Sequence, residues 1–218
     1  MRPSLASIPR PRDRDLIGPE LQAFVAELAD RPELWIHRVH HDHSQRVYEE
    51  LLSDAHLTAW LICWMDDHDT GFHDHDVSAG AVAVVGGRVR EERLAIDGPT
   101  RDRKFGVGES FHFSAADIHR VRHSGVDPAV TLHVYSPPLA RMGAYVVGED
   151  GVLERHSVAP EEELRPLTAL PPARPLTPPA PAIQIELTIC GANSPCSTTP
   201  GVALSRLAKL AGSPIAPK

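Results

Sequence analysis

Two histidines separated by one residue, His73 and His75, are the first side chains here whose spacing suits chemistry. In a β-strand, residues i and i+2 point to the same face, so both imidazoles would enter one cavity. Two converging imidazoles supply half of a metal site, because imidazole binds Fe, Zn, Ni and Cu well. The alternative is a pair of surface histidines in an acidic loop. A later β-type segment opens with His119, a further candidate ligand, and this favours the metal site.

A second group of polar side chains alternates along one predicted strand. Thr131, His133 and Tyr135 fall on the same face by the same two-residue period. A hydroxyl, an imidazole and a phenol in a row can form a hydrogen-bond relay, in which Thr131 fixes the tautomer of His133 and His133 fixes the Tyr135 hydroxyl. The alternative is a structural histidine beside a tyrosine that packs in the core.

The elements that must hold these side chains begin with a segment, residues 1–56, that is predicted to be largely helical. Pro19 suits the first helical position after Gly18. Apolar residues then follow at the spacing of a buried helical stripe, namely Leu21, Phe24, Val25 and Leu28.

Residues 57–158 alternate short β-type runs with turn signals, which is typical of an antiparallel sandwich or barrel. Gly86-Gly87 predicts a tight hairpin between the runs on either side of it, and a second hairpin is predicted around residues 148–151. Residues 159–218 hold seven prolines between positions 166 and 181, so we expect a Pro-rich linker and a poorly ordered tail.

Composition excludes several classes of function. The formal net charge of −7 argues against nucleic acid or an anionic membrane as the main partner. The apolar runs are much shorter than the ~20 residues of a membrane span, and the N-terminus has no apolar secretory core. Three widely spaced cysteines give no disulfide framework, so a cytoplasmic protein is expected.

The two histidine segments resemble the two signature motifs of the cupin superfamily. The matching residues are Gly71, His73, His75 and Gly87 in the first motif, and Gly108 and His119 in the second. This resemblance implies a mainly β fold over about residues 57–158, a cupin barrel (double-stranded β-helix, or jelly roll), preceded by the N-terminal helical segment.

The departures from the cupin motifs are specific. Gly80 stands where the glutamate ligand of a cupin would be, and His123 replaces an asparagine. Three neutral imidazoles without a carboxylate leave the site more positive, which favours an anionic ligand such as a thiolate. Three protein ligands also leave room for a bidentate substrate and O2 at a non-haem Fe(II).

Taken together, the motifs closely resemble the cysteine dioxygenase (thiol dioxygenase) family, in its bacterial type. The residues that carry the resemblance are His73-Asp74-His75, His119, Thr131-x-His133-x-Tyr135-Ser136-Pro137-Pro138 and the preceding strand Leu61-Ile62-Cys63-Trp64. Members add both atoms of O2 to a thiol sulfur and form a sulfinic acid. The resemblance implies Fe(II) on His73, His75 and His119, with Thr131, His133 and Tyr135 as the relay. Gly80 also stands where mammalian-type members have a cysteine that cross-links to the tyrosine, so no such thioether is expected.

A substrate carboxylate needs a cationic partner, and the resemblance places an arginine upstream of the Cys-Trp strand. Arg46 is the best candidate, and Tyr135 could also contact the substrate. Gln45 is the competing residue, because related enzymes that prefer 3-mercaptopropionate place a glutamine near here. We expect L-cysteine as substrate if Arg46 faces the site.

Three functions therefore stay open at this point. The first is an Fe(II) dioxygenase for L-cysteine, with a small thiol and O2 as its partners and a monomer favoured. The second is a dioxygenase for another thiol such as 3-mercaptopropionate. The third is a cupin of another kind, either a non-catalytic metal- or small-molecule-binding module or an isomerase using Zn, Mn or Ni.

Overall fold

The computed structural model describes residues 5–95, 99–147 and 152–167, which belong to one compact unit. The predicted turn at 148–151 lies outside these residues, and so does the part of the predicted Pro-rich linker and tail (residues 159–218) that follows residue 167. One α-helix, α1 (Gly18–Ala29), precedes the strands. The strands are β1 (Val47–Ser53), β2 (Thr58–Trp64), β3 (His73–Asp74), β4 (Ala79–Gly86), β5 (Arg88–Arg93), β6 (Arg101–Gly106), β7 (Ser110–Phe113), β8 (His119–His123), β9 (Ala129–Ser136), β10 (Met142–Val147) and β11 (Leu153–Val158).

The strands form two antiparallel sheets with a nested order of pairing. One sheet runs β1-β2-β9-β4-β7 and the other runs β11-β10-β3-β8-β5-β6. Strand β2 pairs with β9, β3 with β8, β4 with β7 and β5 with β6, as in a long hairpin rolled up into two sheets. This is the jelly roll, and the predicted mainly β cupin fold is confirmed. Within the described residues, no helix is long and apolar enough to cross a membrane.

The helix α1 covers the outer face of the first sheet. Pro19 stands in its first turn, and Glu20 accepts a hydrogen bond from the backbone N–H of Ile17 at 3.0 Å, which caps the helix start. The predicted stripe is confirmed, since the buried residues of α1 are Leu21, Phe24, Val25 and Leu28. They join one apolar cluster with Leu61, Leu132 and Val134 of the sheet.

Strand β9 is buried on both faces, and this decides which of its side chains reach the interior. All eight residues of Ala129–Ser136 are buried. Val130, Leu132 and Val134 pack in the cluster beneath α1. The alternating positions 131, 133 and 135 therefore point between the sheets, as the two-residue period predicts.

Two predictions about the elements are wrong. Gly86-Gly87 does not close a hairpin, because both edges of β4 are paired, with β7 and β9, and β5 lies in the other sheet. Gly87, at φ +62°, lets the chain cross between the sheets, since a Cβ there would lie 2.4 Å from the Pro128 carbonyl oxygen. The segment 1–56 is not helical to its end, because Val47–Ser53 pairs with β2 as an edge strand.

Candidate active site

Three histidine rings meet in the space between the two sheets. His73 lies on β3, His75 follows it directly, and His119 begins β8, where it pairs with His73 in register. The ring centroids are 4.7 to 5.1 Å apart. One nitrogen from each ring lies within 4.8 Å of the others, and each residue is at most 3% exposed. The structure therefore brings together the three histidines that the sequence predicts as ligands.

Two of these rings are oriented by hydrogen bonds at Nδ1. His73 Nδ1 donates to the Gly71 carbonyl oxygen at 3.0 Å, and His119 Nδ1 donates to Glu91 Oε1 at 2.9 Å. Such outer contacts fix the tautomer and leave Nε2 with its lone pair. Glu91 is buried on β5 and also accepts a hydrogen bond from Arg93 at 2.7 Å. It therefore contacts His119 from outside the cluster and does not join the three nitrogens.

The donor set fits a divalent transition metal. His75 Nδ1 and His119 Nε2 are buried nitrogens without a hydrogen-bond partner in the described part of the chain. Burial, together with the neighbouring rings, lowers the pKa of His73 and of His75 well below its usual value, so both are neutral. Neutral imidazoles are the form that binds a metal.

The opposite face of β3 is held by an ion-pair network around Asp74. Arg155 donates to both carboxylate oxygens of Asp74 at 2.7 and 2.8 Å, and the Tyr145 hydroxyl donates at 2.6 Å. Burial opposes ionisation of Asp74, but these bonds hold its pKa at about 2. A strand of only two residues is thereby fixed to β10 and β11, and the rings of His73 and His75 are aimed inward.

The predicted relay residues are connected. Thr131 Oγ1 lies 2.8 Å from His133 Nε2, and His133 Nδ1 lies 3.2 Å from the Tyr135 hydroxyl. Burial lowers the pKa of His133 to about 3 and raises that of Tyr135 above its usual value, so both are neutral. The Tyr135 ring lies 5.0 Å from the His75 ring, centroid to centroid, so the relay ends beside the three histidines.

Trp64 sets the direction of the protons in this relay. Its indole N–H donates to Thr131 Oγ1 at 2.8 Å, and an indole N–H can only donate. The Thr131 proton then goes to His133 Nε2, the other partner of this hydroxyl within the described residues. His133 carries its proton on Nδ1 and donates it to the Tyr135 oxygen. The Tyr135 O–H is thus left to donate into the cavity.

The structure also separates Arg46 from Gln45. Arg46 is 5% exposed and lines the cavity that holds the three histidines, whereas Gln45 is exposed at the surface. The Arg46 guanidinium lies 5.0 Å from the centroid of the Trp64 ring, a cation–π contact. Its Nη2 donates to the Leu164 carbonyl oxygen at 2.6 Å, and its Nη1 is buried without a partner among the described residues. The cavity, including its opening, has an empty volume of about 580 Å³.

Phe113 explains why position 80 is glycine. Gly80 pairs directly with Tyr135 across β4 and β9. A Cβ at Gly80 would lie 2.3 Å from Phe113 Cζ, and the Phe113 ring stacks on His75 with centroids 4.5 Å apart. An aromatic ring therefore fills the space that a longer side chain at position 80 would need. His123, by contrast, bonds the Asp127 carbonyl oxygen at 2.9 Å and does not line the cavity.

Sequence reasoning missed Glu91, and it named Trp64 only as part of the preceding strand, without its hydrogen bond to Thr131. Glu91 sits two residues after the buried Val89 in an alternating strand, so the period already placed it on the inner face. Trp64 shares a strand face with Trp60 and Ile62, which line the cavity. The strand period does not identify the partner of either residue, because the contacts of Glu91 with His119 and of Trp64 with Thr131 join distant parts of the chain.

Comparison with known proteins agrees with this geometry. The family model described as cysteine dioxygenase type I matches residues 14–147. Cysteine dioxygenase type 1 of Danio rerio is 26% identical over 133 residues, which are 55% of this chain and 65% of that protein, slightly less than two thirds of its length. The Homo sapiens protein of the same name is 25% identical over 138 residues, covering 58% of this chain and 68% of that one.

Among solved structures, an uncharacterised conserved protein with a double-stranded β-helix domain from Klebsiella pneumoniae is 14% identical, with a TM-score of 0.44. The alignment covers 49% of this chain and 84% of that one. The family model spans more than half of the chain and includes all three clustered histidines, the relay and Arg46. The chain therefore belongs to the cysteine dioxygenase type I family.

Proposed function

We propose that this protein is an Fe(II)-dependent thiol dioxygenase that converts L-cysteine and O2 to cysteine sulfinic acid. The observation that carries the proposal is a cluster of three buried histidines, with no carboxylate among its members in the described part of the chain. This cluster lies in one cavity with Arg46 and Tyr135, in a chain of the cysteine dioxygenase type I family. The reaction balances without a further reductant, because both oxygen atoms of O2 end on the sulfur.

His73, His75 and His119 would hold the metal. A ferrous ion there supplies the redox chemistry that joins the thiol sulfur to O2. A divalent ion held by these imidazoles, with no carboxylate in the described cluster, would keep its full positive charge, and that charge would favour the thiolate form of the substrate. Glu91 and Gly71 keep the rings of His119 and His73 in the ligating tautomer.

Arg46 would bind the substrate carboxylate. Its Nη1 is buried with no partner in the described residues, and an unpaired buried donor costs about 1–3 kcal/mol, more when charged. A carboxylate at Nη1 would remove that cost and fix the substrate by its far end. The Tyr135 O–H, directed into the cavity by His133, would donate to an oxygen atom of the substrate or of O2. Both side chains would orient the reactants in the cavity.

The proposal is tested by loading the metal-free protein with Fe(II) or Zn(II) and measuring oxygen uptake with three thiols. We expect uptake only with iron and only with thiol present, fastest with L-cysteine. Faster uptake with 3-mercaptopropionate would keep the dioxygenase but reassign its substrate, since that thiol carries the same carboxylate. Stoichiometric metal binding with no uptake for either of these thiols or for cysteamine would contradict the proposal. The variant His119→Ala serves as the control that loses the metal.

A further inference from the structure

A short segment after the last strand forms part of the cavity wall. We call residues 160–167 the C-terminal strap. Pro160, Glu162, Glu163 and Leu164 line the same cavity as the three histidines. The strap lies beyond residues 14–147, which the family model matches.

The strap is tied to the body of the fold at several points. The Tyr48 hydroxyl donates to the Glu161 carbonyl oxygen at 2.6 Å. The Leu164 side chain is 7% exposed and packs in an apolar cluster with Met142 and Ala144. A Cβ on Gly71 would lie 2.9 Å from Pro166 Cα, so the strap backbone packs directly on that glycine. These contacts place the strap in a defined position.

Two further ties run to Arg46 itself. The Arg46 backbone N–H donates to Glu163 Oε1 at 2.9 Å, and Arg46 Nη2 donates to the Leu164 carbonyl oxygen at 2.6 Å. Glu163 is held in turn by Arg165, whose Nε donates to Glu163 Oε2 at 2.9 Å. The strap thus fixes both the main chain and the guanidinium of Arg46. The Leu164 carbonyl oxygen is uncharged. It therefore accepts a hydrogen bond from Nη2 without neutralising the positive charge of the guanidinium.

One donor of the Arg46 guanidinium, Nη1, makes no hydrogen bond to the strap and is left for a ligand. Arg46 Nη1 is buried and has no partner among residues 5–95, 99–147 and 152–167. The Trp64 ring covers one face of the guanidinium, so the group cannot swing freely. A donor held in this way is pre-organised for a small anionic group.

We propose that the C-terminal strap is the positioning element for carboxylate recognition, and that it makes the site selective for thiols that carry a carboxylate. The Leu164 carbonyl and the Glu163 carboxylate hold Arg46 so that Nη1 faces the substrate. This inference rests on the proposed thiol dioxygenase function. It adds Glu163 and Leu164 to that proposal as residues that act on the substrate through Arg46. The strap contributes no residue to the three-histidine cluster, so we expect it to govern binding of the substrate's far end more than the reaction step.

The test compares Glu163→Ala with Glu163→Gln and Glu161→Ala in the full chain. Glu163→Ala removes the acceptor for the Arg46 N–H. Glu163→Gln keeps an oxygen there. Glu161→Ala is the matched control, since its side chain is exposed and only its carbonyl is used. For Glu163→Ala we expect KM for L-cysteine to rise about tenfold with kcat nearly unchanged, while kcat/KM for cysteamine, which has no carboxylate, stays the same.

Glu163→Gln should restore most of the selectivity, and Glu161→Ala should match the wild type. An equal loss for both thiols, or no loss for L-cysteine, would overturn the proposal. Leu164→Ala provides a second route, because it removes the buried anchor of the same carbonyl. It should lower the preference for L-cysteine over cysteamine in the same direction.

A binding measurement separates this proposal from the proposed function. The Zn(II)-loaded protein is titrated with 3-mercaptopropionate and with cysteamine while tryptophan fluorescence is followed, since Trp64 lies beneath Arg46. We expect Glu163→Ala to weaken only the carboxylate-bearing thiol. If Glu163→Ala shows this selective loss of binding but the wild type shows no thiol-dependent oxygen uptake, the strap proposal stands and the dioxygenase proposal fails. If binding of 3-mercaptopropionate is unaffected in Glu163→Ala, the strap proposal fails whatever the activity.

Discussion

Removing the carboxylate behind His119 should weaken metal binding without touching a ligand. Glu91 Oε1 accepts the His119 Nδ1 proton at 2.9 Å inside the barrel, where both residues are at most 5% exposed. The outer partner of a metal-bound histidine is worth about 10- to 100-fold in affinity. Glu91→Gln keeps an oxygen acceptor but loses the charge, so we expect a fall in Fe(II) affinity of about tenfold. Glu91→Ala also leaves the His119 Nδ1–H buried without an acceptor, so we expect a fall in Fe(II) affinity of about 100-fold.

The assay is an anaerobic competition between the protein and a chromophoric chelator for Fe(II). The matched control is Glu92→Gln on the same strand, because Glu92 faces outward and pairs with Arg122 at 2.6 Å. This control should bind iron as the wild type does. Chemical unfolding of each metal-free variant shows that the fold is retained. Wild-type Fe(II) affinity in folded Glu91→Ala would refute the reasoning that Glu91 prepares His119 for a metal.

Three further predictions concern the relay, position 80 and the support of β3. Tyr135→Phe should lower kcat by about 10- to 100-fold, the value of a hydrogen bond to a charged group, while iron content measured by metal analysis stays unchanged. Gly80→Cys should lower the free energy of unfolding by about 1–3 kcal/mol, because its Cβ would overlap Phe113, and mass spectrometry should detect no thioether to Tyr135. Asp74→Asn should lower the free energy of unfolding by about 1–3 kcal/mol through weaker bonds from Arg155, as measured by denaturant titration; unchanged stability would contradict the anchoring role.

The parts of the site that depend on local periodicity could be predicted from the sequence. The two-residue period of a strand placed His73 with His75, and Thr131 with His133 and Tyr135, on inward faces. The helix α1 was predictable for the same kind of reason, since its apolar stripe repeats at helical spacing. The cysteine dioxygenase resemblance is confirmed by the family model, whereas the bacterial type stays a prediction.

The parts that depend on distant pairing could not be predicted. Gly86-Gly87 favours a tight turn locally, but β4 has no free edge once β7 and β9 are paired with it. The contact of Glu91 with His119 joins two strands of one sheet that are 28 residues apart. The orientation of Arg46 depends on Leu164, which is 118 residues away, so no local pattern distinguishes Arg46 from Gln45.

The most direct test of the central claim is the origin of the oxygen atoms in the product. The Fe(II)-loaded protein is supplied with L-cysteine and isotopically labelled O2, and the product is analysed by mass spectrometry. The account predicts cysteine sulfinic acid with both oxygen atoms labelled, and no product from His119→Ala. Cystine as the product, or a sulfinic acid that takes oxygen from water, would contradict the assignment of a thiol dioxygenase to this three-histidine site.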